Sequence, residues 1–443
     1  MRRKLYEDLI KWKDSKNRKP LILEGARQVG KTWLLKEFGK KEYKNMVYVN
    51  CSDNSFAKEL FKEDLLPQRI IRDLEAYSAE RIKEEKTLIF FDEIQESPYG
   101  ITSLKYFCEK APQYHVVVAG SLLGVTHRPG ESYPVGKVDL LRLHPMTFEE
   151  FLWAKEEIPL SEAIHNCEWD VVEATKSKCQ NLLREYYFVG GMPEAVLAFV
   201  SRGHLIDIRT IQHNILQTYM NDMAKHAGKD TERVRMVWQS IPGQMAKENK
   251  KFIYGAVKKG GRAKDFETAI QWLVDAGLVY KIHKCKTPIA PLKFYEDSDA
   301  FKLYMLDVGL LGALSQTDAL QILTSNNIFS SHKGAFTENY VLEQLIVNQR
   351  LPIYYYSKDN SQVEVDFLIQ AGGKVIPMEV KAEENVKSKS LAQFVKEDFA
   401  PMMMKGVRFS MKGYIDQTWM ENIPLYCAGT YTHRLVDKKT NGS

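Results

Sequence analysis

At 443 residues, with 44% hydrophobic and 27% charged side chains, the chain is composed like an ordinary folded protein with material for about three domains. A formal net charge of +5 is mild and says little by itself, and six scattered cysteines without a C-x-x-C pair argue against a zinc site and a disulfide framework and suit a reducing compartment. No run of about eighteen apolar residues is present, so the expectation is a cytoplasmic protein with no membrane partner. The basic start, Met1 to Asp14, reads as an amphipathic helix using Leu5, Leu9 and Trp12.

Leu21-Ile22-Leu23 is a short buried strand, followed at once by Gly25-Ala26-Arg27-Gln28-Val29-Gly30-Lys31-Thr32. That segment fits G-x-x-x-x-G-K-[ST], the phosphate-binding loop. Gly25 and Gly30 let the backbone turn with positive φ and bring its N–H groups round a phosphate. Lys31 reaches the β- and γ-phosphates, and the Thr32 hydroxyl binds Mg²⁺ at the start of the next helix. The expected cofactors are therefore ATP and Mg²⁺, with Gly25, Arg27, Gln28, Val29, Gly30, Lys31, Thr32 and Trp33 forming the nucleotide cradle.

Val47 to Asn50 is a further strand. Thr87-Leu88-Ile89-Phe90-Phe91-Asp92-Glu93 is an apolar strand ending in two acids and resembles a Walker B strand. Asp92 is expected to hold the metal's hydration shell and Glu93 to deprotonate the attacking water. Val116 to Ser121 forms another buried strand, with Ser121 where related ATPases carry a γ-phosphate sensor. Val138 to Leu143 completes the sheet, and strands alternating with helices imply a doubly wound α/β domain.

From about Thr147 to Asp222 the pattern is helical and reads as a lid packed on the nucleotide domain. Thr231 to Tyr295 reads as a winged helix, with helices Val234–Ile241 and Asp265–Ala276 and wing strands at Leu278–Ile282 and Lys293–Tyr295. Asp265 is placed to cap the second helix. Lys247, Lys250, Lys251, Lys258, Lys259, Arg262 and Lys264 cluster before it, where helix-turn-helix proteins contact phosphates. The alternative is a solvated basic loop or a protein-docking module.

The C-terminal third carries a second constellation. Val363 to Ile369 alternates, so Glu364, Asp366 and Leu368 share a face. After Gly372-Gly373, Val375 to Lys381 forms a second strand. A Gly-Gly hairpin pairing Ala371 with Lys374 puts Asp366 opposite Glu379 and Glu364 opposite Lys381. Facing carboxylates destabilise a ladder, and Lys381 offsets only part of the repulsion, so a divalent cation is expected between them. Glu338 lies on the buried face of a helix from Gly334 to Gln349 and is a third candidate ligand. The pair D…ExK resembles the PD-(D/E)xK nuclease core, in which Asp366, Glu379 and Glu338 hold Mg²⁺ and Lys381 positions the attacking water.

With PLILEGARQVGKT, LIFFDEIQ, VVVAGSLLG, HPMTFEEF, YFVGGMPEAV, FKLYMLDVGLL, GAFTENYVLEQL and EVDFLIQ…PMEVKAEE in this order, the chain resembles bacterial and archaeal AAA-type ATPases ending in a restriction-nuclease-like domain of unknown function. The resemblance implies an additional-strand sheet, with the sensor strand between the P-loop and Walker B strands, then a winged helix. Where relatives carry Gly-Arg before HPMTFEEF, this chain has Gly136-Lys137, which leaves Arg128 and Arg142 as unassigned candidates for an arginine finger. The expected layout is a 1–155 ATPase core, a 156–225 helical lid, a 226–300 winged helix and a 301–443 nuclease-like domain. Two functions compete. One couples ATP hydrolysis to metal-dependent cleavage of nucleic acid, with DNA the expected partner. The other is a nucleotide-driven switch that binds DNA or protein without cutting; homo-oligomerisation is left open.

Overall fold

The computed structural model describes the chain except for residues 53, 122–132, 248–249, 324–332, 348–351, 359–362, 372, 385–386, 400–404 and 432–443. It divides into two compact units, Met1–His144 with Asp275–Gly277, and Pro145–Val274 with Leu278–Ser443.

In the first unit, strands β1 (Leu21–Gly25), β2 (Asn45–Asn50), β3 (Thr87–Asp92), β4 (His115–Ser121) and β5 (Asp139–Arg142) form one sheet in the order β2-β3-β4-β1-β5. Every pairing is parallel. All six residues of β3 are buried, as a parallel strand covered on both faces requires. The strand β4 lies between β1 and β3, the arrangement the resemblance implies. Helix Leu5–Asp14 buries Leu9 and Trp12, and a core of aliphatic and aromatic side chains including Val49, Leu74, Phe91 and Phe107 lies along the sheet.

The second unit contains the helices after Pro145, three of which are Lys176–Val189, Leu205–His226 and Thr231–Met245. The segment expected to be a lid on the nucleotide domain therefore belongs to this unit. Its apolar faces are consumed here: Tyr186 packs edge-on against Phe148 and Tyr340, and its hydroxyl donates to the Met146 carbonyl at 2.6 Å. Thr147 and Glu150 form a complete capping box at the start of helix Phe148–Ala154.

Asp307 ties the YFVGGMPEAV and FKLYMLDVGLL segments together. Its carboxylate accepts from Leu310 N at 2.9 Å, capping helix Val308–Leu314, and from Gly191 N at 2.5 Å. Gly190 takes φ +73°, and a Cβ there would run into that carboxylate, so glycine is required where the helix ending at Val189 meets Asp307.

Strands β6 (Val279–Cys285), β7 (Glu296–Met305), β8 (Ile353–Ser357), β9 (Glu364–Ala371), β10 (Lys374–Val380), β11 (Gly406–Ser410), β12 (Ile415–Asp416) and β13 (Met420–Pro424) make one eight-stranded sheet, ordered β12-β13-β11-β10-β9-β8-β6-β7. The expected border at residue 300 falls inside β7, and β6 pairs with β8, so β6, β7 and the C-terminal strands lie in one sheet. Residues 293–295, expected as a wing strand, instead lie in a 3-10 turn, Leu292–Tyr295, after Pro291. Asp265 lies inside the first turn of helix Ala263–Asp275, where its carboxylate reaches back to Arg262 N at 2.9 Å.

Candidate functional site

In the first unit the loop after β1 takes the conformation its glycines permit. Gly25 and Gly30 have φ of 155° and 96°, and Gln28 is also left-handed at 66°. Lys31 opens helix Lys31–Glu42, and its Nζ donates to the carbonyls of Gly25 and Ala26 at 2.9 and 2.8 Å. Burial pushes the Lys31 ammonium down to about 8, with Glu93 and Asp92 opposing that fall. Val29 is fully buried, so it offers backbone only, whereas Gln28 and Trp33 are exposed.

Asp92 ends β3 facing the loop. Its Oδ2 accepts from the Thr32 hydroxyl at 2.8 Å and the Tyr48 hydroxyl at 3.1 Å, and among the described residues its Oδ1 is buried without a hydrogen-bond partner. A buried carboxylate oxygen lacking a donor is what a cation would satisfy. Thr32 and Asp92 therefore fit as the side chains that would hold Mg²⁺, which when bound neutralises phosphate charge. Glu93 follows with φ 51°, and its carboxylate accepts from Gln95 Nε2. Ser121 ends β4 in register with Gly25.

Sequence reading misses three groups here. Tyr48 is half-buried on β2, in register with Phe90, and Lys36 Nζ lies 3.8 Å from its ring centroid. Gln95 sits in the visible DEIQ motif, where the spacing assigns it no role. Arg3 is buried and donates to the Val29 carbonyl at 2.8 Å and the His144 carbonyl at 2.6 Å, tying the N-terminal segment to the phosphate loop. A lone arginine beside a basic N-terminus gives no sequence signal for that. Among the arginine-finger candidates, Arg142 lies 4.0 Å from Glu24 across the β1–β5 pair, and Arg128 lies outside the described residues. Lys137 pairs with Glu109 at 3.0 Å.

The second unit brings Glu338, Glu364, Asp366, Glu379 and Lys381 together, but in a different way from the hairpin count. The β9–β10 ladder starts at Ala371↔Lys374 as expected and its last paired residues are Phe367 and Met378. Asp366 then turns its carboxylate onto the Val380 N–H at 2.8 Å. Glu379 lies in register with Arg408 of β11, and Lys381 Nζ is 3.2 Å from its Oε1.

Two lysines that the hairpin count did not include arrive beside this cluster from elsewhere in the chain. Lys302, 1% exposed on β7, binds Glu364 at 2.6 Å. Lys250, expected in the phosphate-contacting cluster, instead pairs with Glu338 on helix Lys333–Ile346, whose Oε2 also accepts from Tyr304 at 3.3 Å. Burial opposes ionisation of Glu338, but Lys250 and Lys302 outweigh it and hold its carboxyl below the usual range. Asp366 is pushed above the usual carboxylate range, by burial first and then by the Glu338 charge. Both lysines are sequence-distant from their partners, so no local pattern could reveal them.

These residues do not fit a divalent metal. Among the described residues no three His, Cys, Asp or Glu side chains converge in a way that could hold one. The expected ligands Glu338, Asp366 and Glu379 are each engaged by a protein donor or cation. Among the described residues Glu379 Oε2 is buried without a hydrogen-bond partner, but one oxygen is not a coordination site.

Residues 17–152 match the family described as an AAA domain, while 180–321 and 333–426 match two domains of unknown function, DUF8612 and DUF4143. Among solved structures the chain is similar to the Aeropyrum pernix ORC1 protein in complex with DNA, at 13% identity over 71% of this chain and 90% of that one, with TM-score 0.29. It is also similar to the Thermotoga maritima RuvB Holliday junction branch migration motor, at 17% identity over 64% and 88%, with TM-score 0.28. A comparison with curated proteins gives no match. Among the described residues no helix is long and apolar enough to cross a membrane. The residues matching the AAA domain, 17–152, are those that carry the phosphate-binding loop and the parallel sheet.

Proposed function

We propose that this chain hydrolyses Mg-ATP in its first unit and uses the cycle to control a nucleic-acid-binding second unit. The observation that carries the reading is the convergence of Lys31, Thr32 and Asp92, with one Asp92 oxygen buried and, among the described residues, unpartnered at the end of β3. In the cycle, Lys31 leaves its loop carbonyls for the phosphates, and Glu93 leaves Gln95 to take the proton of the attacking water. Ser121 and the backbone of Gly25 to Trp33 complete the nucleotide-facing set. Lys31→Ala should abolish ATP binding. Glu93→Gln should still bind ATP but lose at least about 100-fold in turnover. Single-turnover hydrolysis measured beside ATP affinity checks both, and wild-type turnover in Glu93→Gln removes Glu93 as the base.

The order helix, short helix, helix and two strands between Thr231 and Met305 supports a winged-helix reading of that region. Lys258, Lys259, Arg262 and Lys264 lie there at least partly open to solvent, as phosphate contacts must. DNA is the proposed partner on this chemistry. The paired lysines of the carboxylate cluster favour binding over cleavage, so the β9–β10 hairpin is a nuclease-like framework rather than a cutting site.

A further inference from the structure

We propose that lysine takes the place of the divalent cation in the second unit: Lys302 and Lys250 are permanent counter-ions of its carboxylate cluster, which holds no metal. The inference rests on reading β9 and β10 as a nuclease-like hairpin, and is independent of the ATPase assignment.

Charge balance carries it. Glu338, Glu364, Asp366 and Glu379 face Lys250, Lys302, Lys381 and Arg408. The pairs Lys250–Glu338, Lys302–Glu364 (2.6 Å) and Lys381–Glu379 (3.2 Å) are direct, and Arg408 stands in register beside Glu379 and interacts with its charge. Among the described residues, four carboxylates against four cations leave no net negative charge to attract a dication. Lys302 and the Glu338 side chain are buried, and only 13% of the Lys250 side chain is exposed, so neither ammonium can leave without stripping a carboxylate of its partner. The ring of Tyr355, 4.8 Å from Lys302 Nζ, and the Tyr304 hydroxyl on Glu338 further fix the two pairs. A metal entering here would have to expel both lysines and draw their released carboxylates, Glu338 and Glu364, in beside Asp366. With lysine in that place, the hairpin keeps the nuclease-like fold while its carboxylates serve to position two β-strands and a helix.

The test is Mn²⁺ titration of the full chain without nucleotide, read by thermal melting and by calorimetric stoichiometry, in an Asp92→Asn background that silences the ATP site. The expected result is no dose-dependent stabilisation that Asp366→Asn removes. In contrast, Lys250→Met with Lys302→Met should lower the melting temperature and create Mn²⁺ binding that restores it. If the double variant does not fold, Lys250→Met alone serves, because that side chain reaches the surface. A wild-type stabilisation by Mn²⁺ that is lost in Asp366→Asn would overturn the proposal. So would lysine variants that fold yet bind no Mn²⁺, because the lysines would then not be standing in a cation's place. Neither outcome bears on ATP turnover, which is measured separately.

Discussion

Lys31 is the residue on which the nucleotide site turns, and its burial has a consequence for pH. Its ammonium is held down to about 8 by desolvation, and phosphate binding requires the charged form. Between about pH 7 and pH 9 the unliganded lysine goes from largely protonated to about a tenth protonated, so ATP affinity should fall by about tenfold over that window. Isothermal titration at the two pH values checks this, with pH-independent affinity as the contrary result. Lys31 and Thr32 are legible from the sequence because backbone geometry enforces the G-x-x-x-x-G-K-[ST] spacing within one short loop. Tyr48 and Arg3 are not, because each reaches its partner only after the sheet or the N-terminal segment has folded around the loop.

At the scale of elements, two junctions decide the second unit. Asp307 satisfies the N–H groups of Leu310 and Gly191 from a fully buried position. Asp307→Ala leaves those donors orphaned and should cost about 3 kcal/mol, whereas Asp307→Asn keeps an acceptor and should cost less. Denaturant melts of the two variants separate these outcomes. The segment between helices Thr231–Met245 and Ala263–Asp275 is the second junction. Its Lys258, Lys259 and Arg262 should set the salt dependence of DNA binding. Replacing all three with Ala should reduce the slope of log affinity against log salt by up to about 2.7, at about 0.9 for each phosphate no longer neutralised. An unchanged slope would move the binding surface away from this helix. Lys250, in the same basic run, is excluded from that surface because its charge is spent on Glu338. Sequence clustering does not distinguish a lysine facing solvent from one turned inward.

At the scale of the whole molecule, the first unit should be the acid-sensitive one. Burial pushes His115 down to about 4 and His144 down to about 3 from an ordinary value of 6.5, with nearby Arg18 and Arg142 adding to the fall in turn. His115 also shares a 2.7 Å hydrogen bond with the Tyr43 hydroxyl. The unfolded chain therefore takes up protons below about pH 6.5 that the folded unit refuses, so stability present above that pH is lost as pH falls toward about 4. Calorimetry at about pH 7 and pH 5 should show a first-unit transition lowered by several degrees, and His115→Asn should reduce that dependence. A pH-invariant transition would mean the histidines are not held neutral. The sequence by itself determined the parallel sheet, the phosphate loop, the Asp92–Glu93 strand end and the start of the β9–β10 hairpin, because each depends on side-chain periodicity or spacing within one or two strands. Only the tertiary structure decided that the helices after Pro145 share a unit with the C-terminal sheet, that β6 and β7 extend that sheet, and that Lys250 and Lys302 neutralise the acidic cluster. Those two lysines find their partners across 88 and 62 residues, where burial and Coulomb energy in three dimensions select pairings that no local pattern marks.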